Sequence, residues 1–302
     1  MKLSIITINR NNAAGLARTL ESTFESQPGF NGWEQIVVDG ASTDDSLAVL
    51  NKWKGNPHLG WHVSEPDTGI YNAMNKGAAH ARGDYLLFLN SGDTLLPNSL
   101  RRVFAESFDA DLVVSNMDEV RRGKRTRYFS SAPERIDPVY FLFRTLPHQG
   151  TLVKRSLHEQ LGGYDESLRF AADLKFFFRC FTERTPVVRW ELSPFSVFYD
   201  DGISNRLGNH RAIIKEWKTI VKPFFGEFAA SRAGFRIEGR PWIRDEVADA
   251  ACRDASLARF LRYSSSLAFF LWKIPPIKFL LKTAKKLISC PVRLVAKRKE
   301  TM

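Results

Sequence analysis

Within its first hundred residues the chain alternates short apolar runs, each bounded by turn residues, with segments of helical period. A mainly parallel sheet covered by helices on both faces requires that pattern, because strands buried on both sides read as continuous apolar runs. The spacing predicts strands at 2–8, 34–38, 59–63 and 84–89 and helices at 12–26, 43–54 and 69–81. Ser42, Thr43 and Asp44 open the second helix with side chains suited to capping its free amide groups. Successive strand–helix units imply right-handed crossovers, which gather the loops after the strands along one edge of the sheet. A nucleotide would sit at that edge.

From about residue 97 the pattern loosens. It predicts a helix at 97–107, a strand at 111–116, a basic hairpin-like stretch at 120–130, a buried helix over 170–179 and short strands near 187–191 and 195–199. The expected organisation is a body over 1–205, in two halves at 1–96 and 97–205, followed by a helical, basic region at 206–302. Charge separates the two parts. Residues 206–302 hold 21 Lys and Arg against 8 Asp and Glu, more than the whole chain's net +11, so the body itself is slightly acidic. The three cysteines, Cys180, Cys252 and Cys290, have no metal-binding spacing, and their odd number argues against a disulfide framework. A reducing compartment is the simplest expectation. The opening apolar run is too short for the apolar region of a signal peptide, so export is not expected.

Several acids and amides fall where strands end. Asp39 directly follows Ile36-Val37-Val38, at the end of a buried strand, where it can accept hydrogen bonds from a base or ribose. Thr7, Asn9 and Arg10 are assigned to the loop after the first strand. Asp67 precedes a helix that it could simply cap, and Lys76 lies about two turns further along that helix. The run Gly83-Asp84-Tyr85-Leu86-Leu87-Phe88-Leu89-Asn90-Ser91-Gly92-Asp93 brings a buried strand to a polar turn, which could be purely structural. Asp173, in Ala171-Ala172-Asp173, stands at the start of the buried helix, where an N-cap role is the alternative.

Taken together, Leu3 to Asn11, Ile36 to Asp44, Ser64 to Gly77 and Gly83 to Asp93 resemble the nucleotide-sugar-binding half of a family 2 glycosyltransferase, and the resemblance spans roughly the first two thirds of the chain. It implies the α/β fold called GT-A, Rossmann-like, with a central sheet flanked by helices. It also implies that Thr7, Asn9, Arg10 and Asp39 meet the nucleoside and that the loop of Asp67, with Lys76, approaches the nucleotide. Asn90-Ser91-Gly92-Asp93 takes the place of the family's Asp-x-Asp signature, where Mg²⁺ or Mn²⁺ bridges the donor diphosphate. Asn90 and Gly92 replace acids there, which leaves Ser91 and Asp93 as donor-binding residues and Asp93 as the metal ligand. Between Asp39 and Ser42 this chain has Gly40 and Ala41, where the family has an acid and a glycine. The pair His148-Gln149 matches residues lining the site near the sugar, and Asp200 to Ser204 resembles a loop that folds over it. Asp173 matches the base that takes the acceptor's proton in transfer with inversion, although Lys175 replaces an acid two residues later.

The expected function is therefore transfer of a sugar from a nucleotide-diphosphate sugar to a saccharide, first of all a lipid-linked oligosaccharide, in bacterial cell-surface polysaccharide assembly. A sugar-nucleotide nucleotidyltransferase would want a glycine-rich loop after the first strand, where this chain has Asn9-Arg10-Asn11-Asn12, and the dinucleotide fingerprint is missing for the same reason. A non-catalytic membrane-associated module that binds nucleotide-sugar or carbohydrate is the second alternative. Residues 255–302 hold 11 Lys and Arg and one acid among Phe, Leu and Trp. Their apolar run at 267–281 falls short of the ~20 residues a spanning helix needs. No nucleic-acid recognition module accompanies the charge, so nucleic acid is not an expected partner. The expectation is a cytoplasmic protein lying peripherally on the inner face of the cell membrane, its tail on anionic lipid.

Overall fold

The computed structural model describes residues 1–121, 123–128, 136–138, 140–200 and 209–230. Strands β1 (Leu3–Asn9), β2 (Trp33–Asp39), β3 (Leu59–Ser64) and β4 (Tyr85–Phe88) are parallel, in the spatial order β3-β2-β1-β4. Helices α1 (Ala13–Phe24), α2 (Ser46–Lys52) and α3 (Ile70–Ala79) connect them. The sheet continues from β4 as β8-β6-β9-β5. It comprises β5 (Thr94–Leu95), β6 (Leu112–Arg121), β8 (Thr151–Lys154) and β9 (Val188–Tyr199), and β7 (Lys124–Arg127) forms a hairpin with β6. Beyond β4 the sheet is mixed: β8 runs antiparallel to β4 and β6, and β9 runs parallel to β6. This is the expected α/β class, parallel over β1 to β4 and mixed beyond.

Alternation along the strands decides what covers each face. Ile6, Ile36, Val38, Leu86 and Phe88 point into a core shared with α3, α5 (Tyr140–Phe143), α7 (Ala172–Thr182) and α8 (His210–Ala230). Leu3, Ile5, Val37 and Leu87 point to the opposite side, where α1, α2 and α4 (Ser99–Val103) close two smaller cores. The short α6 (Arg155–Gln160) follows β8.

Two elements differ from the sequence expectation for identifiable reasons. The strands expected at 187–191 and 195–199 are one strand, β9: Ser115 pairs with Glu191 and Met117 with Ser196, so the residues around Pro194 form a bulge. A bulge is where a strand accommodates a proline, which cannot donate to the ladder. Helix α2 begins at Ser46, not 43, because Ser42, Thr43 and Asp44 are used by the neighbouring loop. Asn11 N–H donates to Ser42 Oγ, Thr43 N–H to Asn11 Oδ1, and Ala13 N–H to Asp44 Oδ2. Helix α4 covers only part of 97–107.

Helix α8, from the region expected to be a C-terminal extension, packs on the main core, burying Ile214, Trp217, Val221 and Phe225. Among the described residues no helix is long and apolar enough to cross a membrane. The cationic, aromatic tail at 255–302, Cys252, Cys290 and the loop residues 201–204 lie outside the described residues.

Candidate active site

The parallel ladder places Asn9 opposite Asp39 and Asp39 opposite Ser64, so three strand ends deliver their last residues to one spot. Asp39 is almost wholly buried and accepts from Asn9 Nδ2 (2.8 Å), Ser42 N (2.9 Å), Ser42 Oγ (2.5 Å) and Ser64 Oγ (2.6 Å). Burial alone would push its pKa up. The hydrogen bonds from Ser42, Ser64 and Asn9 outweigh that and hold it below the ordinary carboxylate range, so it is a fixed anion. Thr7, in contrast, lies beneath this spot: fully buried, it donates to Leu89 O (2.7 Å) and accepts from Gln35 (2.9 Å). It joins β1 to the end of β4 and does not face the edge.

Gly40 shapes the next step along the edge. A Cβ there would lie 2.3 Å from Asp67 Oδ2 and 3.3 Å from Arg10 Cδ, so the glycine is what lets Asp67 and the exposed Arg10 close over the end of β2. The loop carrying Asp67 is held by Lys76, whose ammonium donates to Glu65 (2.7 Å) and to the carbonyl of Pro66 (3.1 Å). Lys76 thus acts as a brace for this loop. Asp67 Oδ1 accepts from Gly69 N–H at the mouth of α3.

On the first turn of α3, Tyr71 begins a chain of hydrogen bonds that sequence reading did not anticipate. Its hydroxyl donates to Asp173 Oδ1 (3.1 Å), Asp173 Oδ2 meets His148 Nδ1 (3.2 Å), and His148 Nε2 meets Asn90 Nδ2 (3.3 Å). Because an amide NH₂ can only donate, Nε2 is the acceptor and the imidazole proton resides on Nδ1, facing Asp173. Asp173 and His148 are each 16 % exposed, enough for a substrate to reach them from one side. Burial and the nearby Asp173 charge raise the Tyr71 pKa well above that of a free phenol, so Tyr71 stays a donor. Position 71 gave one sequence signal, a tyrosine two residues after the Pro66-Asp67-Thr68-Gly69 loop. Gln149 is buried in the 3₁₀ turn His148–Gly150 that orients His148.

The residues around the Asn90 turn bear on a divalent cation. Asn90 Oδ1 is buried without a hydrogen-bond partner, and it is a hard oxygen donor of the kind Mg²⁺ and Mn²⁺ take. Asp93, also buried, accepts from Tyr199 N–H (3.1 Å) through Oδ1, and the Ser91 carbonyl accepts from Asn12 Nδ2 (3.2 Å). Among the described residues no three His, Cys, Asp or Glu side chains converge on a metal-sized site. This donor set fits a cation carried mainly by a substrate's phosphates and touched by one or two protein oxygens, Asn90 Oδ1 among them.

The sequence pattern of Glycosyl transferase family 2 matches residues 4–169, more than half the chain. The chain belongs to glycosyl transferase family 2. A family 2 relative, an uncharacterized glycosyltransferase of Mycobacterium tuberculosis, is 33 % identical over 222 residues, 69 % of this chain and 78 % of that protein. Another, a PGL/p-HBAD biosynthesis glycosyltransferase of Mycobacterium bovis, is 34 % identical over 194 residues, covering 62 % and 72 % of the two chains. Among solved structures, Staphylococcus aureus TarS in complex with UDP-GlcNAc superposes with a TM-score of 0.59 at 16 % identity, over 74 % of this chain and 67 % of that one. At that identity the likeness speaks for the GT-A fold. As a family 2 member the protein is a glycosyltransferase, and both the nucleotidyltransferase and the non-catalytic module give way to that assignment.

Proposed function

We propose that this glycosyltransferase works with inversion, moving a sugar from a nucleotide-diphosphate sugar to a hydroxyl of a saccharide acceptor, with Asp173 as the general base. The observation that carries the reading is the fixed, partly exposed Asp173 carboxylate, held by Tyr71 and His148 on the same sheet edge as Asp39. Asp39, Asn9, Arg10 and the Asp67 loop form the nucleoside end. The acceptor oxygen attacks the anomeric carbon, the bond from that carbon to the diphosphate breaks, and the acceptor's proton passes to Asp173 while the negative charge leaves on the nucleoside diphosphate. His148 Nδ1–H and Tyr71 O–H orient the carboxylate, and Asn90 keeps the imidazole in that tautomer. A divalent cation, Mg²⁺ or Mn²⁺, would contact Asp93 and Asn90 Oδ1, where it neutralises charge developing on the diphosphate.

Residues 1–205 are proposed as the catalytic body, 1–96 binding donor and 97–205 facing acceptor, with 206–302 an extension whose first helix docks on the body. The acceptor we favour is a lipid-linked oligosaccharide in cell-surface polysaccharide or glycolipid assembly, on the cytoplasmic face of the cell membrane. Support comes from the cationic, aromatic composition of 255–302 and from the name of the mycobacterial relative. The test is to screen nucleoside diphosphates for thermal stabilisation with and without Mn²⁺, since a ligand bound only by the native state raises its stability. The anomeric configuration of the product made from the matching sugar donor is then read by NMR. Inversion is expected, and a product that retains the donor's configuration overturns the mechanism.

A further inference from the structure

Helix α7, which carries Asp173, starts without a cap of its own. Its N-cap residue is Ala171, whose side chain makes no capping bond, and the preceding residues Arg169 and Phe170 offer none either. An uncapped start leaves backbone N–H groups without partners and the first turn prone to fray. Asp173 lies in that first turn, and its own Oδ1 is already taken by Tyr71 O–H and by Leu174 N–H (2.8 Å).

The residues leading into the helix are held instead by a residue 45 positions beyond Ala171. Glu216, on α8, accepts from Arg169 N–H through Oε1 (3.0 Å) and from Phe170 N–H and Ala171 N–H through Oε2 (2.9 Å each). Three consecutive amides thus close on one carboxylate at the positive end of the helix dipole, where an anion is favoured. The adjacent Trp217 fixes the approach of α8, its Nε1–H donating to the carbonyl of Phe141 (2.6 Å). On the far side, Phe178 of α7 packs against Phe224 and Phe225.

We propose that Glu216 is a positioning residue for catalysis: from α8 it anchors residues 169–171, which lead into the base-bearing helix, and so sets the orientation of the Asp173 carboxylate toward the acceptor hydroxyl. The proposal rests on the assignment of Asp173 as base. It makes α8 part of the catalytic apparatus through its hold on the start of α7. Removing the carboxylate loosens the first turn of α7 and lets Asp173 drift from His148 and Tyr71. A misplacement of about 1 Å at a reacting group can cost on the order of 100-fold in rate.

The experiment compares the full chain with Glu216→Ala, Glu216→Gln, Asp173→Asn and the Glu216→Ala/Asp173→Asn double variant, measuring kcat, KM for the nucleotide-sugar and nucleoside-diphosphate affinity. Glu216→Ala should lower kcat by roughly 10- to 100-fold with donor affinity within about twofold of wild type. Glu216→Gln, which keeps an acceptor oxygen, should recover much of that loss and provides the readout should the alanine variant fail to fold. In the Asp173→Asn background, Glu216→Ala should change the residual rate by less than about twofold, because the carboxylate it positions is gone. Wild-type kcat in Glu216→Ala beside an inactive Asp173→Asn overturns the role of Glu216 alone. A full second loss in the double variant, or equal losses in kcat and donor affinity, reduces Glu216 to a structural brace and overturns the proposal. Full activity in Asp173→Asn overturns the base assignment and this inference with it.

Discussion

At the residue scale, His158 shows how the interior near the site is tuned. It packs against the rings of Phe88, Tyr164 and Phe176, is 5 % exposed, and its Nε2 has no hydrogen-bond partner. Burial pushes its pKa down to about 4, against a weak upward pull from Glu159. A folded-state pKa below the unfolded value means that the native chain binds fewer protons between the two. The stability is therefore complete above pH ~6.5 and is lost as pH falls towards 4. Between pH 7.5 and 5 the loss from this group alone is about 2 kcal/mol. Urea unfolding of the wild type and His158→Gln at both pH values checks this: the wild type should lose more stability than the variant. Equal losses would mean that His158 is not buried as a neutral ring. The same reasoning, applied to Asp39, explains why a nearly buried acid stays ionised: four donors surround it.

Among the elements, α3 has the most consequence for the site, because it holds Asp67 at its mouth and Tyr71 on its first turn. Gly77 seats it. A Cβ at that position would lie 2.5 Å from Ile6 Cγ2 and 3.4 Å from Val38 Cγ2, so the helix lies directly on β1 and β2. Glycine costs roughly 1 kcal/mol relative to alanine inside a helix, and the close approach accounts for its presence here. Gly77→Val should lift α3 off the sheet, destabilising the fold by about 1–3 kcal/mol and weakening the Tyr71–Asp173 bond. Thermal unfolding with a transfer assay checks both, and a variant as stable and active as wild type contradicts the seating. The elements themselves were legible in the sequence where the signal is local: β1 to β4 read as apolar runs, and Asp39 stood out as an acid ending one of them. Contacts between distant segments were not legible. Asp173 meets Tyr71 across 102 positions, and Glu216 holds Ala171, at the start of α7, across 45. The β9 bulge was read as a break because Pro194 signals a strand end locally, while its pairing with β6 is set by the sheet. Thr7 was misplaced for the opposite reason: strand period alone does not tell the edge from the floor.

At the scale of the whole molecule, charge is divided between a slightly acidic body and a strongly basic C-terminal region. With each basic residue near an anionic bilayer contributing about 1 kcal/mol, and with aromatic side chains interleaved, residues 255–302 should hold the protein on vesicles containing acidic lipid. Flotation of the full chain and of a chain ending at residue 254 tests this: the full chain should bind in a salt-sensitive manner and the shorter one should be released. Equal flotation of both, or of neither, contradicts a lipid role for this segment. Because α8 is docked on the body and Glu216 belongs to it, the shorter chain should still transfer sugar to a soluble acceptor. The central claim is that one sheet edge binds the donor while Asp173 acts only when the acceptor's proton must leave. Measuring nucleoside-diphosphate affinity and sugar-transfer rate side by side for wild type and Asp173→Asn tests it most directly. Affinity should remain within about twofold while transfer falls by roughly 100-fold or more; unchanged transfer, or a parallel collapse of binding, would contradict the account.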